Sequence, residues 1–144
     1  MFSGKKSNKP QNRIDTLIGA GTKIEGNITF SGGLRVDGTI LGNICAQNGE
    51  PSTLVLSETA HIEGEIRVSH MVINGTVNGP VYVVEYVELQ PKAHVIGDVY
   101  YKTVEMHLGA RVEGKLVYQG EGSVAQSAVK PSLVNVEYGD YGAS

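Results

Sequence analysis

The sequence predicts an all-β protein folded as a β-solenoid, in which short strands coil into a stack of repeated windings. Apolar and polar residues alternate with period two, as in strands that bury one face. A five-residue pattern also recurs, as TKIEG at 22–26, AHIEG at 60–64, AHVIG at 93–97 and ARVEG at 110–114. Such repetition is typical of stacked structural units, because each unit must bury its apolar face against the next.

Composition agrees with this class and limits the choice of partner. The chain has 144 residues, 19 of them glycine and none tryptophan, which favours one domain with many tight corners. The formal net charge is −3, and residues 1–13 carry +4 with no acid, so the remainder carries −7. An acidic body argues against nucleic acid as the main partner, because binding to phosphates requires a basic surface.

The chain carries little sign of an extracellular or membrane-spanning protein. Cys45 is the single cysteine, so no intramolecular disulfide can form. No apolar run approaches the roughly 18 residues of a membrane-spanning helix, and no apolar segment follows the first lysines as in a secretory signal. We therefore expect a cytoplasmic protein.

The chain divides into three parts. Residues 1–13 form a polar, basic segment, and residues 119–144 are rich in Gly, Ser and Ala, so both are predicted to be flexible tails. Residues 14–118 are patterned throughout and form the predicted solenoid body.

Within the body, three stretches show the alternation most clearly. The predicted inward residues are Leu34, Val36, Gly38, Ile40, Gly42, Ile44 and Ala46, then Met71, Ile73, Gly75, Val77, Gly79 and Val81, and finally Val104, Met106, Leu108, Ala110, Val112, Gly114, Leu116 and Tyr118. The inward set changes parity around Ser69–His70, which predicts a corner or bulge there.

One glycine series gives the length of a winding. It comprises Gly26, Gly42, Gly64, Gly79, Gly97 and Gly114, at successive steps of 16, 22, 15, 18 and 17 residues. The longest step contains QNGEPS at 47–52, which predicts a loop that leaves the coil. A repeat of 17 or 18 residues fits about six windings into the body, and no segment has the periodicity of a helix.

The histidines are predicted to be surface residues. His61 and His94 occupy the repeat position that Lys23 and Arg111 fill in the other copies, so the position tolerates any basic side chain. The spacing of the four histidines does not stack three ligands on one face, as a zinc site would require. A trimeric solenoid enzyme of the hexapeptide acyltransferase or carbonic anhydrase kind stays open as the alternative.

Other candidate groups point to no reaction. Glu25, Glu63 and Glu113 recur at one corner, where a catalytic pair is conceivable and a solvated edge is more common. The glycine pairs at 19–21 and 31–33 are not followed by the Lys-Ser/Thr of a phosphate-binding loop. We expect no catalytic residue, cofactor or metal. A lateral patch of Tyr82, Tyr86, Tyr100 and Tyr101 is left open.

The stretch IGAGTKIEGNITFSGGLRVDGTILGNI at 18–44 resembles the opening of a bactofilin domain, and AHIEGEI (60–66), INGTVNGPV (73–81) and ARVEGKL (110–116) continue the likeness. The resemblance implies a right-handed parallel β-helix of about six windings between disordered tails, polymerising without nucleotide. The start MFSGKK resembles a membrane-targeting leader, which assigns Met1, Phe2, Lys5, Lys6 and Lys9 to the cytoplasmic face of the inner membrane. Cell-wall or morphogenetic proteins are the implied partners.

The ends of the predicted solenoid suggest how it assembles. Each end exposes strand edges and a cross-section of apolar core, and we see no segment predicted to cap either one. The residues expected at these ends are Ile14, Leu17, Ile18, Val112, Leu116 and Tyr118. A second subunit would cover an end most simply, and contacts between like ends would give a filament without polarity.

Overall fold

The computed structural model describes residues 13–47 and 51–120 as an all-β solenoid. Sixteen strands and no helix occur among these residues, which confirms the predicted class. The predicted tails, residues 1–13 and 119–144, lie almost entirely outside the described residues. So do residues 48–50 of the predicted loop.

The strands form three ladders, all parallel, which we call faces 1, 2 and 3. Face 1 contains β1 (Thr16–Ile18), β4 (Gly32–Val36), β7 (Ser52–Leu56), the second halves of β9 (Ile66–Ile73) and β11 (Val81–Leu89), and β14 (Thr103–Met106). Face 2 contains β2 (Lys23–Glu25), β5 (Thr39–Leu41), β8 (His61–Glu63), β10 (Thr76–Asn78), β12 (His94–Ile96) and β15 (Arg111–Glu113). Face 3 contains β3 (Ile28–Phe30), β6 (Ile44–Ala46), the first halves of β9 and β11, β13 (Val99–Tyr101) and β16 (Leu116–Tyr118).

One passage through the three faces makes a winding, and there are six. Winding 1 runs from β1 to β3 and winding 6 from β14 to β16. Val99 is aligned with Leu116, a step of 17 residues, whereas Ile44 is aligned with Ile66, a step of 22. The extra residues of the longer step fall between β6 and β7, and the pairing register is regular on either side of them; Ser52, the last residue of the predicted loop, already belongs to β7.

The predicted parity change at Ser69–His70 is a corner, because β9 crosses there from face 3 to face 1. The hydroxyl oxygen of Ser69 accepts a hydrogen bond from the Ser52 amide at 2.8 Å and lies 2.9 Å from Nδ1 of His70. Burial lowers the pKa of His70, although the nearby Glu85 carboxylate acts in the opposite direction. The imidazole is therefore held preferentially in its neutral form.

The core consists of the inward residues of the middle windings. Val36, Ile40, Leu54, Ile62 and Val77 are among those with almost no exposed surface. Burying each such side chain contributes roughly 1.5–3 kcal/mol relative to leaving it in water. Packing of inward side chains between successive windings therefore forms the hydrophobic core.

One predicted inward residue points the other way. Leu108 is 96 % exposed, because β14 ends at Met106 and residues 107–110 form a turn closed by the amide of Ala110 on the carbonyl of His107 at 3.1 Å. The expectation that Leu108 joins the core was therefore wrong. After a turn of four residues, even-numbered residues of the next strand still point inward, but the residues of the turn itself do not alternate between inside and outside.

The repeated glycines stack at the corner that follows face 2. A Cβ placed on Gly64 would lie 2.1 Å from the carbonyl oxygen of Gly42, and one on Gly79 would lie 2.2 Å from that of Gly64. Gly64 and Gly79 also have φ angles of +152° and +149°, where other residues are strained. Close approach of successive backbones is therefore the physical reason for the repeat.

Candidate functional site at the two ends of the solenoid

Across the described residues, 13–47 and 51–120, both ends of the solenoid leave strand edges open. Among the described strands, β1, β2 and β3 pair only with β4, β5 and β6, one winding further along. In the same way, β14, β15 and β16 pair only with β11, β12 and β13. We call the first set of open edges the N-terminal end and the second the C-terminal end. Each offers a continuous row of backbone donors and acceptors to another chain.

Apolar side chains of the N-terminal end are covered from one side only. Ile18 lies inward, aligned with the buried Val36, and is half-buried. Ile14 precedes β1 and is 39 % exposed. Leu17 is aligned with Arg35, so its side chain lies on the outer wall of winding 1 rather than in the core cross-section. Of the three predicted residues, Ile18 therefore matches the end section best.

The C-terminal end shows the same loss of cover more strongly. Leu116 is aligned with Val99, and their exposed fractions are 43 % and 0 %. Tyr118 is also exposed, whereas Val112 is half-buried against the core. Met106, aligned with the buried Leu89, joins this surface although it was not among the interface residues predicted from the sequence. Met106 lies on this surface because it is one of the alternate residues of β14 that point inward.

The basic repeat position forms one ladder on face 2, as predicted. Lys23, Thr39, His61, Thr76, His94 and Arg111 are aligned in that order. His61 is 2.8 Å from Glu63 and His94 is 2.7 Å from Glu113, both on the solvent side. The acids Glu25, Glu63 and Glu113 share the neighbouring ladder without touching, since uncharged residues separate them. They do not form a carboxylate pair.

A different group of donor atoms lies on face 1, across windings 5 and 6. Nε2 of His107 lies 2.9 Å from Glu88 and 3.4 Å from Glu105, and the three donor atoms lie within 4.8 Å of one another. These are the described residues best placed to hold a metal ion, and sequence analysis missed them. The same distances are those of a histidine hydrogen-bonded to Glu88 and within ion-pair distance of Glu105, so a link between the last two windings explains them.

The four tyrosines considered from the sequence do not form one patch. Tyr82 and Tyr100 stack on the outer wall of face 3 with ring centroids 4.6 Å apart, and Arg67 lies 4.0 Å above the Tyr82 ring. Tyr86 is buried instead and donates its hydroxyl to Glu105. Burial raises the pKa of Tyr86, and the bond to Glu105 raises it further. Tyr101 packs inward against the core.

Comparison with known proteins agrees with this architecture. Residues 16–117 match the family model described as "Bactofilin: Polymer-forming cytoskeletal". The chain belongs to the bactofilin family. Bactofilin BacO of Myxococcus xanthus (strain DK1622) is 26 % identical over 102 residues, which cover 71 % of this chain and 78 % of the relative. No solved structure gives a significant match.

Membership of a polymer-forming cytoskeletal family supports a cytoskeletal scaffold role for this bactofilin. The family is structural rather than enzymatic, which favours self-association over the solenoid-enzyme alternative. Within residues 13–47 and 51–120, no helix is long and apolar enough to cross a membrane.

Proposed function

We propose that this bactofilin is a non-enzymatic, nucleotide-independent scaffold that polymerises end to end into filaments without polarity. The observation that carries the proposal is the exposure of Leu116 at the C-terminal end, where its ladder partner Val99 is fully buried. A second copy would restore the missing neighbour and pair the open strand edges. We further propose that the body, residues 14–118, suffices for this assembly.

Polarity can be tested with variants that keep one working end. Leu116→Arg blocks the C-terminal end, and Ile24→Arg on the inward side of β2 blocks the N-terminal end. If like ends pair, each variant alone forms dimers and stops there. If opposite ends pair, each variant alone stays monomeric and a mixture of the two gives dimers. Analytical ultracentrifugation distinguishes these results, and the second would contradict the proposal of a non-polar filament.

We also propose that the leader attaches the filament to the cytoplasmic face of the inner membrane. Phe2 would insert its ring, contributing roughly 1.5–3 kcal/mol, and Lys5, Lys6 and Lys9 would each add about 1 kcal/mol near anionic lipid. One such attachment is weak, but a polymer presents many, so avidity makes the whole filament bind firmly. These residues, with Met1, lie outside the described part of the chain, and the proposal rests on their chemistry.

Flotation with anionic liposomes tests the leader. Deleting residues 1–9 is expected to leave the filaments in the dense bottom fraction while the liposomes float. Phe2→Ser is expected to weaken binding more than Lys5→Gln, and added salt should affect the lysines more than Phe2. Binding of the truncated protein equal to that of the full chain would show that another part binds the membrane.

Recruitment of cell-wall or morphogenetic proteins is the remaining part of the proposal. A filament repeats each lateral surface many times, so weak contacts with a partner gain avidity along its length. Purified filaments should therefore retain such a partner in pull-down experiments, and assembly-deficient Leu116→Arg protein should retain far less. Equal retention by both would argue that recruitment does not depend on the polymer.

A further inference from the structure

The edge strands of face 2 carry the same pattern of side chains at both ends of the solenoid. β2 reads Lys23, Ile24, Glu25, and β15 reads Arg111, Val112, Glu113. In each strand the middle residue packs against the core, and the flanking base and acid are exposed. Of the six strands of face 2, only these two place Lys or Arg two residues before an acid.

Two modes of contact would place these charges differently. In a head-to-tail contact the strands continue parallel, so Arg111 would lie beside Lys23 of a second copy and Glu113 beside its Glu25. Neighbouring strands are about 4.8 Å apart, and like charges directly opposite each other on paired strands are destabilising. The parallel contact therefore brings together two pairs of like charges.

A two-fold contact between like ends reverses this relation. If β15 pairs antiparallel with β15 of a second copy, centred on Val112, Arg111 faces Glu113 of that copy, and the same pair forms again by symmetry. At the other end, pairing centred on Ile24 places Lys23 opposite Glu25 twice. Opposite charges on paired strands are stabilising. Each like-end contact thus gains two ion pairs where the parallel contact has two repulsions.

The rest of the C-terminal end is compatible with this axis. A two-fold axis through the middle of face 2 exchanges faces 1 and 3, so β14 would pair with β16 of a second copy. That arrangement sets Met106 against Leu116 and Tyr118 of the other copy, which are the most exposed inward residues of winding 6. The charged pairs on the rim and the apolar residues in the section therefore favour one register.

The interior of the face 2 ladder likewise avoids placing two acids on neighbouring strands. Leu41 separates Glu25 from Glu63, and Asn78 and Ile96 separate Glu63 from Glu113. No two acids are neighbours in this ladder, whereas a parallel contact would create such a pair from Glu113 and Glu25. Glu113 accepts a hydrogen bond from His94 at 2.7 Å, and a carboxylate has further lone pairs for Arg111 of a second copy.

We propose that Lys23 and Glu25 at one end, and Arg111 and Glu113 at the other, are the residues that select like-end pairing and fix its register on β2 and β15. This inference rests on the proposed end-to-end polymerisation and specifies its contacts. It assigns to four surface charges the choice between like-end and head-to-tail filaments.

Charge reversal and charge exchange in the full-length chain test the proposal. Arg111→Glu replaces both ion pairs of the C-terminal contact by repulsions, so we expect the critical concentration for pelleting to rise about tenfold. The double variant Arg111→Glu/Glu113→Arg restores opposite charges across the two-fold axis and should return the critical concentration to near the original value. High salt should reduce the difference among the three proteins.

The parallel arrangement predicts the opposite sign. There, Arg111→Glu would face Lys23 of a second copy and lower the critical concentration, and the exchanged double variant would lower it further. Either result, or an unchanged critical concentration in all variants, would overturn the assignment. Matching thermal melting curves of the unassembled proteins would show that the variants differ in assembly rather than folding.

Cysteine cross-linking tests the register directly. In a Cys45→Ser background, Val112→Cys should form a disulfide-linked dimer in filaments, because opposed Cα atoms of antiparallel strands lie about 4.5–5.5 Å apart, within disulfide range. Ile24→Cys alone should also give dimers. Cross-linking that requires both cysteines in one chain, or none with either variant, would overturn the proposed register. If the original chain forms no filaments, the proposed function itself fails; filaments without these responses reject this inference alone.

Discussion

Replacing Leu116 by arginine perturbs the C-terminal end at its best-defined apolar position. The side chain is 43 % exposed in the single chain. Full burial of a leucine contributes roughly 1.5–3 kcal/mol, so covering the exposed part contributes about 1 kcal/mol for each copy. A two-fold contact contains two copies and loses about 2 kcal/mol from this term. Each buried, unpaired guanidinium adds a penalty of several kcal/mol.

These terms together exceed about 5 kcal/mol, which corresponds to a loss of more than ~1,000-fold in the association constant of that contact. The free domain should remain folded, because the arginine can extend its charged tip into solvent from the open end. We therefore expect Leu116→Arg to form no long filaments in electron micrographs and to sediment as dimers joined at their N-terminal ends.

Leu108→Arg is the matched control. It makes the same substitution in the same winding, at a turn residue that is 96 % exposed and lies away from the core cross-section. We expect it to polymerise like the original chain. Long filaments of Leu116→Arg would refute the role of this end, and loss of filaments in both variants would show that added positive charge, not position, is responsible.

Three further predictions concern the body. Gly64→Ala should lower the free energy of unfolding by more than about 2 kcal/mol, because a φ of +152° is strained for alanine and the new Cβ would meet the Gly42 carbonyl. Gly21 has open space around it, so the Gly21→Ala variant should have an almost unchanged melting temperature. The stability of the chain should fall as the pH drops below about 6.5, because burial lowers the pKa of His70. At that pH the folded state binds fewer protons at His70 than the unfolded state does. The His70→Asn variant should therefore lose less stability over this range in a pH series of urea melts. His61→Ala should change stability by less than about 0.5 kcal/mol in the same assay, since its contact with Glu63 is exposed, and a larger loss would contradict its assignment as a surface residue.

The sequence predicted the fold because the determinants of a solenoid are local and repeated. Period-two alternation identifies the buried face of each strand, and it correctly assigned Val36, Ile40 and Val77 to the core. The glycine series gave the length of a winding, since every winding must pass the same crowded corner. The parity change at Ser69–His70 also identified a corner correctly, because the inward residues of a strand change parity where the strand crosses from one face to the next.

Alternation failed where the chain left the strands. Leu108 has the parity of a core residue, but it occupies a turn between β14 and β15 and faces water. Tyr86 was considered for a surface patch, but it lies just after the corner within β11, is buried, and donates its hydroxyl to Glu105 of the next winding. A local pattern does not fix the direction of a side chain across a turn or corner.

The sequence by itself determined the class of fold, the repeat length, the surface position of His61 and His94, and the expectation of two uncovered ends. Each of these follows from the local alternation of residues and from its repetition along the chain. The tertiary structure alone decided that Leu17 lies on the outer wall, that Met106 joins the C-terminal end and that Glu88, Glu105 and His107 meet. Those facts depend on the register between windings, which parallel stacking sets over distances of 15 to 22 residues and which no single stretch of sequence contains.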